Sequence, residues 1–147
     1  MRLRVGGDAD WALRRFTPIT EDGAITLDCP ASALTQVEPA PEVSGALGAA
    51  IRSVHDTSEL VCDLVVELPD ERTVRELAPD LHALRGYARR GIVVTAPAED
   101  RSRGYDVVSR GFFPAVGIDE DPVTGSAHTA PAPFWVACLA SAATAPC

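Results

Sequence analysis

Two stretches hold the densest apolar patterns in the chain. Residues 60–68, from Leu60 to Leu68, are rich in β-branched and apolar side chains and predict a strand that Pro69 ends. Gly91 opens Ile92, Val93, Val94, Thr95 and Ala96, a buried-strand pattern stopped by Pro97. Between them the period changes. Val74, Leu77, Leu81 and Leu84 fall at steps of three and four behind Asp70, a good N-cap. That spacing predicts an amphipathic helix broken near Pro79 and Asp80 and followed by a short helical turn. Tyr105 to Arg110 alternate as a strand, which Gly111, Phe112 and Phe113 continue into a turn at Pro114. The mixed-charge residues 98–104 read as a surface loop.

Upstream, residues 8–19 alternate loosely and residues 23–29 more clearly. They predict two strands joined by a hairpin turn at Thr20, Glu21, Asp22 and Gly23. Residues 31–42 have no clear period and read as loop. Ser44 can cap a short helix from about Gly45 to Ile51. The order β-α-β-β-loop-α over residues 60–138 predicts an α+β unit with a mixed sheet.

The 147 residues are enough for one ordinary domain or two very small ones, and 46% apolar with 23% charged residues reads as globular. The net charge is −8, and all 13 basic residues are arginine. An acidic chain without a basic cluster argues against a nucleic-acid partner, because neutralising phosphates needs local positive charge. No apolar run approaches the roughly 20 residues that span a bilayer. The start of the chain has no apolar signal-peptide core, so a cytoplasmic location is expected. Cys29, Cys62, Cys138 and Cys147 form no Cys-x-x-Cys pair, and His55, His82 and His128 are scattered. This spacing predicts thiols in a reducing compartment and no metal.

Chemistry concentrates in Glu120-Asp121-Pro122-Val123-Thr124-Gly125-Ser126-Ala127-His128. Pro122 favours an extended approach at Asp121. Thr124 or Ser126 can cap a helix beginning there, and Gly125 lets the backbone come close to a ligand. Amides at a helix start suit an anion such as a substrate carboxylate. An acid just before them is placed to move a proton on the neighbouring carbon. The same spacing also fits an ordinary loop-to-helix cap. Ser126 and His128 are only two apart and lack a Gly-x-Ser-x-Gly elbow, which argues against a hydrolase. No Gly-x-Gly-x-x-Gly is present for a dinucleotide.

That segment, with Ser109-Arg110, Phe112-Phe113-Pro114, Gly117-Ile118 and Ala132-Pro133-Phe134-Trp135, resembles the PhzF family of phenazine-biosynthesis-like isomerases. The resemblance extends upstream through Gly91-Ile92-Val93-Val94-Thr95-Ala96, Pro79-Asp80-Leu81, Val74-Arg75 and Asp63-Leu64-Val65-Val66-Glu67-Leu68. It continues to Leu27-Asp28-Cys29-Pro30-Ala31 and Arg15-Phe16-Thr17-Pro18. It covers most of residues 8–138. The resemblance implies the diaminopimelate-epimerase-like fold, two pseudo-symmetric α+β domains that each curl a sheet around a central helix, with the active site in the cleft between them. It implies a cofactor-free proton shift on a small amino- or carboxylate-bearing substrate. Asp121 would be the active-site acid, and Gly125 and Ser126, with Thr124, would anchor substrate at a helix start. For His128 a site role and a surface or packing role stand side by side.

The sequence departs from the family pattern in three places. The family's N-terminal segment with its catalytic glutamate has no counterpart, and the chain contains no asparagine. Its Cys-Gly-His-Ala-Thr motif is missing where Thr20-Glu21 runs directly into Asp22-Gly23-Ala24. Pro131 stands inside the expected C-terminal helix, where a lost hydrogen bond would cost about 3 kcal/mol. The resemblance then implies a truncated, incomplete member: residues 1–58 a remnant of the N-terminal domain and linker, residues 59–147 a truncated C-terminal domain. Two readings follow, an isomerase impaired by a missing half-site, or an inactive remnant or interaction module. Pairing as a homodimer or with a full-length relative would supply the missing strands.

Overall fold

A computed structural model describes residues 2–5, 19–21, 24–29, 31–57, 61–87, 90–122 and 124–141. They fall into two compact units, one drawn from residues 1–33 and 125–147, the other from residues 34–124.

The first unit holds a three-stranded sheet. β1 (Arg2–Val5) pairs parallel with β3 (Ala24–Cys29), and β2 (Ile19–Glu21) pairs antiparallel with β3, Glu21 opposite Ala24. The expected antiparallel pairing is present, but Thr20 and Glu21, expected in the turn, lie in β2; Asp22 and Gly23 lie outside the described residues. The part of the expected 8–19 strand before Ile19 lies outside the described residues. β1 was not anticipated from its four residues. The unit also contains a 3-10 turn, Ser126–His128, and the helix α4 (Pro131–Ser141).

That arrangement corrects the expected helix. No continuous helix starts at Thr124 or Ser126; Gly125 has αR backbone angles without a side-chain cap, and one turn follows before α4 begins. Pro131 is thus the first residue of α4 and Pro133 the third. At these positions the backbone N–H has no partner within the helix, so proline removes nothing. The first intrahelical bond runs from the Phe134 amide to the Ala130 carbonyl, 3.4 Å. Pro131→Ala should change stability by less than about 1 kcal/mol in denaturant unfolding; a gain near 3 kcal/mol would show that the proline interrupts a longer helix.

The second unit is a six-stranded mixed sheet in the order β4-β5-β6-β7-β8-β9. Its elements are β4 (Leu34–Val37), α1 (Pro41–Leu47), β5 (Ser53–Thr57), β6 (Asp63–Glu67), α2 (Glu71–Glu76), α3 (Leu81–Leu84), β7 (Gly91–Pro97), β8 (Val107–Phe113) and β9 (Ile118–Asp121). Only β6 and β7 run parallel; the other neighbours are antiparallel. The parallel step needs a crossover, which α2 and α3 supply. Asp70 caps α2 by accepting the Thr73 amide at 2.7 Å, and Asp80 caps α3 by accepting the Ala83 amide at 3.0 Å. The helix broken at Pro79 is therefore as the spacing predicts.

Alternation divides the sheet into two faces. The first bears Val54, Val66, Leu68, Ile92, Val94, Ala96 and Phe112. It packs with Val43, Ala46 and Leu47 of α1, Val74 and Leu77 at α2, and Leu84 of α3 in one apolar core. The second face is mixed: Val65, Val93 and Phe113 are buried beside Asp63, Glu67 and Thr95.

Several expected boundaries move. Residues 34–37, read as loop, form the edge strand β4. Three of its four residues are exposed, so it carries no apolar signature, and β5 determines its pairing. The helix expected at 45–51 runs instead from Pro41 to Leu47 and ends at Gly48, whose φ of 66° closes it in the left-handed region. Ser44 lies inside that helix and donates to the Ala49 carbonyl rather than capping the start. β5 and β9 add strands where none was expected. Because β5 pairs with β6, the sheet continues across the boundary expected at residue 58. Cys29 and Cys62 are not in a disulfide, but Cys138 is disulfide-bonded, which corrects the expectation of thiols throughout.

Candidate active-site segment

The residues singled out by sequence divide between the two units. Asp121 and Thr124 belong to the second, and Gly125, Ser126 and His128 to the first.

Asp121 ends β9. A left-handed turn at Gly117, φ 83°, follows a 3-10 turn at Pro114–Val116 and reverses the chain so that β9 returns along β8. Asp121 lies opposite Gly111, with a register irregularity between Gly111 and Phe113. Cross-strand partners share a face, which places Asp121 in a row with Gly111, Val93, Val65 and His55 on the second face. It is half-buried there.

Its neighbour Glu120 is committed elsewhere. Arg110 grips it in a two-pronged pair, Nε to Oε1 at 2.8 Å and Nη2 to Oε2 at 2.9 Å. These hydrogen bonds hold the Glu120 carboxyl below its ordinary range, against a smaller opposing effect of burial. The same guanidinium donates from Nη1 to the Val74 and Leu77 carbonyls, closing the C-terminal end of α2. Arg110 is thus a structural clasp between β8, β9 and α2. In the sequence Arg110 stands out only within the Ser109-Arg110 motif. The missed signal was its register, since Arg110 lies opposite Val94 on the core side of β8.

A notch beside Asp121 is built from two glycines and a ring. A Cβ at Gly111 would meet the Phe113 ring at 2.8 Å from Cε2 and 3.1 Å from Cζ; one at Gly91 would overlap the same ring. Phe113 is therefore folded down over Gly91 and Gly111. The Arg90 guanidinium lies 5.3 Å from the ring centre and also binds the buried Asp63 carboxylate with both Nε and Nη2.

In the first unit, Gly125 has φ −58° and ψ −45°, and among the described residues nothing lies within 4 Å of where a Cβ would be. Neither backbone conformation nor packing requires glycine there. Ser126 and His128 are exposed. The Ser126 carbonyl accepts from the Thr129 amide at 3.2 Å and hydroxyl at 2.7 Å, and the His128 amide bonds to the Gly125 carbonyl at 3.2 Å. The Thr129 carbonyl in turn accepts the Ser32 amide, 3.0 Å, tying the turn to the chain after β3. A single turn has a smaller dipole than the helix expected here, and two of the first three residues of α4 are prolines without an amide hydrogen. An anion at this segment would depend on local amides and hydroxyls.

Among the described residues, no group of three or more His, Cys, Asp or Glu side chains could hold a metal ion. No helix of the described residues is long and apolar enough to cross a membrane.

Comparison with known proteins agrees with these motifs. The family model for phenazine biosynthesis-like proteins, PhzC-PhzF, matches residues 38–145. The chain is 44% identical over 118 residues to an uncharacterised isomerase of Pseudomonas aeruginosa, covering 78% of this chain and 41% of that protein. A second isomerase of that organism is 42% identical over 115 residues, with the same coverage. The chain thus spans about two fifths of the length of these relatives. Among solved structures, a PhzF-family protein of Enterococcus faecalis superposes with a TM-score of 0.65 at 37% identity, over 72% of this chain and 38% of that one. The mixed α+β architecture is that of the diaminopimelate-epimerase-like fold. The chain belongs to the PhzC/PhzF family of phenazine-biosynthesis-like proteins.

Proposed function

We propose that the chain supplies one wall of an isomerase site that shifts a proton on a small amino- or carboxylate-bearing substrate without a cofactor. Asp121 is the group that takes and returns the proton. Gly125 and Ser126, with Thr124, hold the substrate carboxylate, and His128 lies at the rim of the same segment. The observation that carries this reading is the alternation at the end of β9. Glu120 pairs with Arg110 on the core face, and Asp121 stands on the other face, opposite Gly111. The glycine at 125, which its own surroundings do not demand, supports a close approach by a ligand.

A two-sided proton shift needs a second acid or base opposite the first. The chain lacks the family's Cys-Gly-His-Ala-Thr motif after Phe16-Thr17-Pro18, so turnover by this chain alone is expected to be slow. The isomerase names of the relatives favour this reading over a purely structural remnant. The test is solvent deuterium incorporation into a panel of small amino-carboxylates. Slow exchange above a protein-free control is expected; none in any member removes the proposed activity. Gly125→Ala should fold normally, since its methyl has room, yet weaken substrate binding by filling the approach. Unchanged binding would remove Gly125 from the site.

A further inference from the structure

β9 carries one residue more than regular pairing with β8 allows. Phe113 lies opposite Ile118 and Gly111 opposite Asp121, so the single residue Phe112 faces both Asp119 and Glu120. Two residues against one make a β-bulge, a device that re-aims the side chains beyond it. Continued regularly from Phe113 and Ile118, the ladder would set Phe112 against Asp119, Gly111 against Glu120 and Arg110 against Asp121. Residues directly opposite share a face. The regular register would therefore exchange the two carboxylates, sending Glu120 to the second face and Asp121 to the core face beside Arg110. The bulge decides which acid stands beside Gly111.

The ion pair of Arg110 does not by itself make that choice. Its guanidinium is also held by the Val74 and Leu77 carbonyls, at 3.0 and 2.8 Å, and by the Phe112 ring, whose centre is 5.0 Å away. Because Asp119, Glu120 and Asp121 follow one another, either register brings it an acid. What differs lies on the second face. There the Phe113 ring is laid back along β8 over Gly111, 2.8 Å from where a Cβ would be, and over Gly91 on β7. Across from that stretch the bulge separates the second-face residues of β9, Ile118 and Asp121, by three positions in place of two. The regular register would close the gap and bring the longer side chain of Glu120 opposite Gly111, against the ring. The ring is itself held. It is buried and carries the Arg90 guanidinium, which is bound to the buried Asp63.

We propose that Phe113, seated over Gly91 and Gly111 and clamped by Arg90, is a positioning residue: it holds the β9 bulge and so keeps Asp121, not Glu120, on the second face. Its consequence for proton transfer rests on the isomerase reading above; the placement of the two acids is measured without substrate.

Cross-strand NOEs from the Gly111 backbone, recorded by NMR on the full chain, test this. In the native chain they should reach Asp121. Phe113→Leu keeps an apolar side chain but removes the ring, and the NOEs should pass from Asp121 to Glu120. Deleting Asp119 from that variant takes out the extra residue, so the regular ladder again sets Gly111 against Asp121, and the original NOEs should return. A ring that merely fills space would not be replaced by shortening β9. Undiminished Gly111–Asp121 NOEs in folded Phe113→Leu, or their failure to return on the deletion, overturn the role. Should Phe113→Leu not fold, Gly111→Ala displaces the ring edge and is read in the same way from position 111. Solvent deuterium incorporation should follow the face, falling roughly 10²-fold in Phe113→Leu and recovering with the deletion. Unchanged incorporation with the NOEs moved to Glu120 also overturns the positioning role. No incorporation by the native chain removes the isomerase reading alone, because the NOEs are still read.

Discussion

Gly91→Ala is expected to destabilise the protein by about 3 kcal/mol, the upper end of what overpacking a core costs. The added methyl would overlap the Phe113 ring and lie 2.8 Å from the Phe112 carbonyl oxygen. The ring has little freedom to retreat. It is 3% exposed, covers Gly111 as well as Gly91, and carries the Arg90 guanidinium, which is itself fixed on Asp63. The carbonyl is part of β8 beside β7 and can move only if the sheet does. Gly111→Ala should cost less, because only the ring edge is in its way, at 2.8 and 3.1 Å. Equilibrium unfolding in urea measures both. Phe113→Leu in the Gly91→Ala background should recover part of the loss, giving a favourable coupling in a double-mutant cycle. Gly91→Ala within about 0.5 kcal/mol of the native chain, the range of neutral surface changes, would show that the ring is not seated in the notch.

This notch illustrates what sequence could and could not disclose. The β-branched run at Ile92, Val93 and Val94 and the three-and-four spacing from Val74 to Leu84 announce β7, α2 and α3, because burial on a regular element leaves a period. Gly91 reads only as the opening of a strand. Its real constraint is a ring 22 positions away, and nothing local records that. The same holds at the sheet edges. β4 and β9 are mostly exposed, so selection for an apolar face is weak and their pairing is imposed by β5 and β8. Pro131 shows the reverse failure. A proline inside a helix is costly, but its cost depends on where the helix starts, and one intervening turn changes that from severe to negligible.

The chemical segment was legible through its resemblance to the family motif, since by spacing alone it also fits an ordinary loop-to-helix cap. Its division of labour was not. Glu120 and Asp121 are adjacent carboxylates, indistinguishable until alternation along β9 sends them to opposite faces. Arg110 then settles Glu120, because a guanidinium that also closes α2 cannot leave it without exposing two carbonyls.

That asymmetry makes the second large prediction a comparison. On the proposed isomerase reading, Asp121→Asn should reduce solvent deuterium incorporation by roughly 10²–10⁴-fold, the span of a positioned acid or base. The carboxamide keeps the shape of the side chain but cannot accept and return a proton, so the unfolding midpoint should hardly move. Glu120→Gln should do the opposite. It removes one ion pair with a 40% exposed carboxylate, so the loss of stability is small, up to about 1 kcal/mol, and exchange should be untouched. The pH dependence has a definite sign. Arg110 lowers the Glu120 carboxyl in the folded chain, so its contribution is present above the ordinary carboxylate range and is lost as pH falls through the lowered value; Glu120→Gln should remove that part of the acid sensitivity. If Asp121→Asn and Glu120→Gln slow exchange equally, the reaction is sensing the general charge of β9, and the assignment of proton transfer to Asp121 fails. If only Asp121→Asn slows it while both variants stay folded, then the face on which a carboxylate stands, and not its place in an acidic run, determines which one does the chemistry.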